Sequence, residues 1–208
     1  PGKVLLEASG IPLLQHLINR LKAVKFLDQI IVATTDNKQD LPIVNLANKL
    51  GIPYYCGSER DVMKRVIDAA KYVNADIIVE ITGDCPIIDP KIIEKSIKIF
   101  NSFKYDYVSN VLPRSYPDGM DTQVFRTNTL MQSFEMTNDP VDREHVSLHI
   151  RKNPKLFKEA KLIKKIENFD KDIQNVKIKG MTKLGSGGMN TKIEAAKICN
   201  LAGCNMVI

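Results

Sequence analysis

Apolar and polar positions alternate along the first hundred residues with two distinct periods. Leu14, Leu17, Ile18 and Leu21 recur at helical spacing, and Gln29-Ile-Ile-Val-Ala33 follows as a short β-branched run ending in polar Thr34-Thr35-Asp36. That order reads as a helix followed by a buried parallel strand. The cycle repeats as helix 41–50, strand 53–56, helix 61–73 and strand 77–82, with short connections of the kind that βα units use. Helix starts are also signalled chemically. Ser58-x-x-Asp61 resembles a capping box for the third helix, and Asp89-Pro90 supplies an N-cap and a first-turn proline for a helix over 91–103. The predicted fold is α/β, a three-layer, doubly wound, mostly parallel sheet.

Beyond residue 104 the rhythm changes to a strand over 105–111, a turn-rich loop over 113–119, a short strand over 122–125 and a polar helical stretch around 140–151. An excursion from the sheet is expected here. The length of 208 residues, with 44% hydrophobic and 26% charged residues and a mean hydropathy of -0.15, is that of a globular chain able to bury a core without staples. No apolar run approaches the ~20 residues of a membrane span, so no membrane partner is expected. The opening Pro1-Gly2-Lys3 carries neither an initiator Met nor a signal pattern and reads as an internal start or a truncation. Cys56, Cys85, Cys199 and Cys204 form no Cys-x-x-Cys pair and have no His at zinc-finger spacing, so a reducing cytoplasm is the expected compartment.

Charge is uneven. Residues 1–158 hold 21 basic and 19 acidic groups, whereas 159–208 hold 9 Lys, no Arg and 5 acids. A nucleic-acid-binding tail would carry Arg and aromatics, so small phosphorylated ligands suit the balance better.

In an open α/β sheet, ligands sit at the carboxyl ends of strands. Thr34-Thr35-Asp36 and Thr82-Gly83-Asp84 both stand at such ends. The second, followed by Cys85-Pro86, presents a carboxylate on a rigid turn suited to Mg²⁺ and phosphate; the competing reading is an Asp capping its own turn. Lys3, at a glycine-softened turn, would neutralise triphosphate oxygens or be an ordinary solvated lysine. His16 lies within a helix and reads as structural.

Taken together, Pro1-Gly-Lys-Val-Leu, Ile31-Val-Ala-Thr-Thr-Asp36, Gly57-Ser-Glu-Arg-Asp-Val62 with Arg65, Val79-Glu-Ile-Thr-Gly-Asp-Cys-Pro-Ile-Ile-Asp89, Tyr116-Pro-Asp-Gly-Met-Asp121 and Asp142-Arg-Glu-His-Val146 resemble the acylneuraminate cytidylyltransferase family, in its spore coat polysaccharide biosynthesis branch. The resemblance covers residues 1–158 and implies a nucleotide-diphospho-sugar transferase-like fold. It also implies cytidylyl transfer from CTP, with Mg²⁺ as cofactor and a sugar or sugar acid as acceptor. By similarity Lys3 contacts phosphates and Asp84 ligates the metal, while Thr35, Asp36, Asp61 and Arg65 line the nucleotide or sugar pocket. Asp118, Asp121, Asp142 and His145 would face the acceptor, with an Asp-Gly turn, a helix N-cap and a surface histidine as the alternatives. A homodimer through residues 105–150 is implied as well. The chain departs from the family at Glu80, where many relatives carry Arg, and at Gln123, where they carry an acid. The family's Gly/Ser nucleotide loop precedes Pro-Gly-Lys, and its late Asp-x-x-x-Asp segment has no counterpart in this sequence.

Residues 159–208 resemble instead an internal, incomplete α/β segment of glutamate 5-kinase, of the amino acid kinase family. The resemblance runs through Ala160-Lys-Leu-Ile163, Gly185-Ser-Gly-Gly-Met-Asn-Thr-Lys192-Ile-Glu-Ala-Ala196 and Ala202-Gly-Cys-Asn-Met-Val-Ile208. A glycine-rich loop opening a helix offers backbone N–H groups to phosphate, which makes Gly185, Gly187, Gly188, Met189, Thr191 and Lys192 its candidate ATP loop. Three readings follow: a cytidylyltransferase, a γ-glutamyl kinase fragment, and an inactive hybrid that binds nucleotides.

Overall fold

The computed structural model describes residues 2–102, 105–111 and 116–161. The chain divides between Leu162 and Ile163 into two units, the first of which holds all of the described residues; the candidate ATP loop from Gly185 to Lys192 lies outside them.

After a 3₁₀ turn at Lys3–Leu5, strands β1 (Glu7–Ala8) and β2 (Ile11–Pro12) make a small antiparallel ribbon leading into α1 (Leu13–Leu21). The next strand, β3 (Val32–Thr35), is parallel to β4 (Tyr54–Gly57), and α2 (Leu41–Lys49) connects them. Helix α3 (Val62–Tyr72) then leads to β5 (Ile77–Glu80), and α4 (Pro90–Ser102) to β6 (Tyr107–Ser109). The remainder comprises β7 (Gln123–Arg126), α5 (Thr127–Met136), α6 (Pro140–Glu144), α7 (Leu148–Lys152) and β8 (Glu159–Lys161). The second sheet runs in the order β5-β7-β6-β8, with β7 antiparallel to both of its neighbours and β8 parallel to β6.

The α/β reading holds, and the three layers can be seen in how side chains alternate on the strands. Val79, Val124 and Val108 stand side by side and pack with Leu14, Leu17 and Ile18 of α1, Leu46 of α2, and Ile93, Ile97 and Phe100 of α4. The adjacent row, Ile78, Phe125 and Tyr107, faces the other way, toward Met63 and Ile67 of α3, Leu130 of α5 and Ile150 of α7. Each fully buried side chain of this size adds about 2 kcal/mol of burial free energy, which is why helical spacing of the apolar residues located α1, α2, α3 and α4.

Four local expectations change. The predicted strand at 29–33 lies instead at Val32–Thr35, so Thr34 and Thr35 belong to the strand. The expected excursion after residue 104 is no excursion, because β7 inserts between β5 and β6 at the centre of the sheet. The stretch around 140–151 is two short helices separated by Val146 at φ 42. The cap of α3 is Asp61, whose Oδ1 accepts from Lys64 N at 2.9 Å, while Ser58 Oγ accepts from Asp61 N at 3.0 Å. The start of α4 is as expected, with Asp89 Oδ1 accepting from Lys91 N at 2.9 Å and Pro90 in the first turn.

Candidate functional site

Two polar clusters form at the carboxyl ends of β3, β4 and β5. In the first, the chain turns sharply after β5: Cys85 N donates to Thr82 O at 3.2 Å, and Thr82 Oγ1 lies 3.2 Å from Cys85 Sγ. This turn presents Asp84, and Lys3 reaches it from 81 positions earlier in the sequence, Nζ to Oδ2 at 2.7 Å. Gly2, at φ 77, lets the backbone bend where Lys3 begins its turn. The two side chains are 69% and 46% exposed, so the pair is open to a ligand. The Lys3 hydrogen bond, with help from Thr82, holds the Asp84 carboxyl below the usual carboxylate range, and Asp84 in turn raises the Lys3 ammonium.

The 118–121 loop comes up beside this turn. Burial pushes the Cys85 thiol up, and the charges of Asp84 and Asp121 push it in the same direction, which places Asp121 near Asp84. Asp118 and Asp121 both engage partners. Buried Asn110, which the sequence reading missed, clamps the loop: Nδ2 donates to Met120 O at 2.7 Å, and Oδ1 accepts from Thr122 N at 2.8 Å. The only sequence signal for it is an amide directly after an apolar strand.

Asp84 is a single, half-exposed carboxylate on a turn. That suits Mg²⁺, which takes one or two carboxylates and completes its shell with water and substrate phosphates. Among the described residues no group of three His, Cys, Asp or Glu side chains converges as a cage.

The second cluster surrounds Thr35. Its hydroxyl donates to Asp40 and accepts from Asn37 N at 3.2 Å, while Thr34 Oγ1 donates to Asp40 at 3.4 Å. Asp36 N donates to Gly57 O at 3.2 Å, which ties β3 to β4 where they end. Arg65 folds over Gly57, where an added Cβ would stand 3.2 Å from Arg65 Cγ and 3.1 Å from Tyr55 Cε1; a side chain at 57 would therefore displace Arg65. Arg65 donates to Ser58 O and its Nε is buried without a partner; burial lowers the pKa of its guanidinium, against the opposing charges of Asp40 and Glu59. Thr35, Asp36 and Arg65 are thus brought together, and Asp40 joins them unanticipated.

Asp61 and Asp142 have different company. Asp61 caps α3 and accepts from Arg143 at 3.0 Å. Asp142 is buried and accepts from Thr137 Oγ1 at 2.9 Å and Lys152 Nζ at 2.7 Å. Burial works to raise its pKa, and these two donors outweigh it, leaving the carboxyl below its ordinary range. His145 is exposed at the end of α6, and His16 Nε2 donates to Ala8 O at 2.9 Å, in keeping with its structural reading.

Arg143 is the common fastener of this region. It donates to Asp61, to Thr137 O and to Phe134 O, each at 3.0 Å, and it stacks on the Phe134 ring. Arg143→Met should cost about 1 to 2 kcal/mol in urea unfolding, because it strands three acceptors. A midpoint equal to the parent's would mean that water replaces these contacts freely.

The family model described as cytidylyltransferase matches residues 1–184. An uncharacterised protein of Methanocaldococcus jannaschii is 40% identical over 157 residues, 76% of this chain and 63% of that protein. The spore coat polysaccharide biosynthesis protein SpsF of Bacillus subtilis is 29% identical over 165 residues, 76% of this chain and 67% of that protein. A short region is also similar to the glutamate 5-kinase of Pelagibacter ubique, 61% identical over 56 residues, which are 27% of this chain and 15% of that enzyme. The chain therefore spans under two thirds of the first and a small part of the last. Among solved structures, a cytidylyltransferase from Leptospira borgpetersenii superposes with a TM-score of 0.76 at 27% identity, covering 100% of this chain and 92% of that one.

Proposed function

The chain belongs to the cytidylyltransferase family, and on that premise we propose that it takes part in cytidylyl transfer from CTP to a hydroxyl of a sugar or sugar acid in surface polysaccharide synthesis. The observation that carries this reading is the Lys3–Asp84 pair, two residues 81 positions apart that meet on an open turn at the end of β5. In the reaction an acceptor oxygen attacks the α-phosphorus of CTP, the bond to the bridging oxygen breaks, and pyrophosphate leaves. Lys3 would stabilise the charge that builds on the phosphate oxygens. Asp84 would hold Mg²⁺, which supplies Lewis-acid neutralisation of those oxygens when bound. Thr35, Asp36 and Arg65, gathered where β3 and β4 end, would contact the nucleotide. Asp118 and Asp121 would face the acceptor from the adjoining loop.

The glutamate 5-kinase similarity supports a second reading, an ATP-dependent γ-glutamyl kinase fragment joined to the first unit. The two readings differ in nucleotide. Calorimetry with Mg²⁺ present is expected to give at least tenfold tighter binding for CTP than for ATP, a gap of about 1.4 kcal/mol. A preference for ATP would overturn the cytidylyltransferase reading and favour the kinase. A cytoplasmic homodimer through residues 105–150 fits this reading; within that interval Met136 and Val141 are large apolar side chains left 56% and 49% exposed.

A further inference from the structure

The ladder between β6 and β7 ends at Ser109 and Gln123, yet the two segments stay joined beyond it. Asn110 N donates to Thr122 O at 3.4 Å, and there the chain turns away, with Val111 N donating to Ser109 Oγ at 2.9 Å. From this point the Asn110 side chain takes the place of a paired backbone. Its Nδ2 donates to Met120 O at 2.7 Å, and its Oδ1 accepts from Thr122 N at 2.8 Å. Met120 C=O and Thr122 N–H belong to the two peptide groups on either side of Asp121. One buried amide therefore grips Asp121 from both sides.

Other contacts hold the same residue against the Asp84 turn. Asp121 makes a backbone hydrogen bond to Cys85, the neighbour of Asp84 in the chain, and its charge acts there as well. Ahead of it, Met120 N donates to Pro117 O at 3.2 Å, with Gly119 at φ 82 supplying the bend. Asn110 and Thr122 are 1% and 0% exposed, so water has no room to replace the amide's bonds. Asp121 itself is only half-buried and keeps a surface toward solvent. The apolar packing of these strands is already complete at Val108 and Val124; what the amide adds is a fixed place for Asp121.

We propose that Asn110 is a positioning residue of this site, one that fixes the Asp121 carboxylate beside the Asp84 turn where the acceptor meets the nucleotide. This rests on the cytidylyltransferase reading, in which Asp121 faces the acceptor, and adds the residue that sets its place. The demand is geometric, since displacing a substrate-holding group by about 1 Å costs on the order of 100-fold in rate. The chemistry of the grip is equally specific. Only a planar end that donates and accepts at once serves both peptides of Asp121. An amide has that pattern and so does a neutral carboxylic acid, whereas a carboxylate only accepts and a methyl group does neither.

The test uses the full chain, isotope-labelled, with CTP and with Mn²⁺ as a paramagnetic stand-in for Mg²⁺. Broadening of the Gly83 N–H reports metal at the Asp84 turn, and broadening of the Asp121 N–H reports where Asp121 sits. Both are expected in the parent. In Asn110→Ala, Gly83 should keep its broadening while that of Asp121 falls at least about twofold, Thr122 N–H exchanges about tenfold faster, and the Kd for CTP stays within about twofold. Asn110→Asp supplies the rescue, and carries the test if the alanine variant does not fold. At pH 5 its neutral acid should restore the parent's Asp121 and Thr122 amide shifts, and at pH 8 its carboxylate, set against Met120 O, should lose them. A role in filling space alone would not follow pH. Unchanged Asp121 broadening in a folded Asn110→Ala, or Asn110→Asp shifts that ignore pH, would overturn the proposal. Broadening of Gly83 without Asp121 in the parent would overturn it too, with the family reading intact. If neither N–H broadens, the cytidylyltransferase reading falls first, and this inference with it.

Discussion

Asp84→Asn is expected to abolish Mg²⁺-dependent CTP binding, and with it any pyrophosphate release, while leaving the thermal midpoint within about 3 °C of the parent's. The two effects separate because Asp84 stands on an open turn, 46% exposed, and its partner Lys3 is more exposed still. An ion pair this accessible adds little to folding. A carboxylate that anchors an ion against a triphosphate is another matter, since the amide keeps the shape but loses the charge; mutations of this kind cost about 100-fold or more. Lys3→Met should weaken CTP binding alongside it, again without unfolding. Titration with and without Mg²⁺, paired with thermal melts, distinguishes the outcomes. A large drop in melting temperature for Asp84→Asn would show that the carboxylate serves as a cap of its own turn and is no ligand.

Glu80→Gln should stabilise the protein at pH 8.5 and do almost nothing at pH 5. Burial pushes the Glu80 carboxyl up from 4.5 to about 7, and the nearby Arg151 charge pulls the other way without winning. The folded state therefore holds a proton on Glu80 between pH 4.5 and about 7, where the unfolded chain has released it. Stability associated with this group is fully present below 4.5 and is lost as pH rises through about 7. An upward shift of this size corresponds to about 2 to 3 kcal/mol at alkaline pH after allowance for partial solvent contact. Gln has no proton to lose, so the gap between the two melting temperatures should open over that interval and then stay constant. Parallel melting curves across pH 5 to 8.5 would show that Glu80 is ionised throughout and compensated by Arg151.

Burial of one helix face is a local rule, and it made much of the fold legible. Leu14, Leu17 and Ile18 mark α1, Met63, Ile67 and Ala70 mark α3, and Asp89 with Pro90 marks the start of α4, because spacing and capping operate within a few residues. Helix α5 escaped the same reading because Thr127, Thr129 and Ser133 are among its buried residues, so its inner face carries no clean apolar stripe. Lys3, Asp84 and Thr35 were each visible as polar residues beside glycine turns or strand ends, whereas Arg65, inside a helix, came only with the family resemblance.

What pairs with what was a different question, and only the folded chain answered it. The place of β7 between β5 and β6 depends on contacts with strands 43 and 14 positions distant, for which the local pattern Gln123-Val-Phe-Arg126 carries no partner information. The same holds for Lys3 meeting Asp84, for Arg143 tying Asp61 to α5, and for Asn110 holding the 118–121 loop. Glu80 shows the division most sharply. In the sequence it stood out only as a departure from the Arg of many relatives, and its perturbed proton arises from burial beside Gln123, against the opposing charge of Arg151, neighbours that the sheet register and the return of α7 bring to it. Periodicity determines which face of an element leaves water, whereas partners across the sheet are selected by the long-range closure of the chain, where desolvation and charge act between residues far apart in sequence.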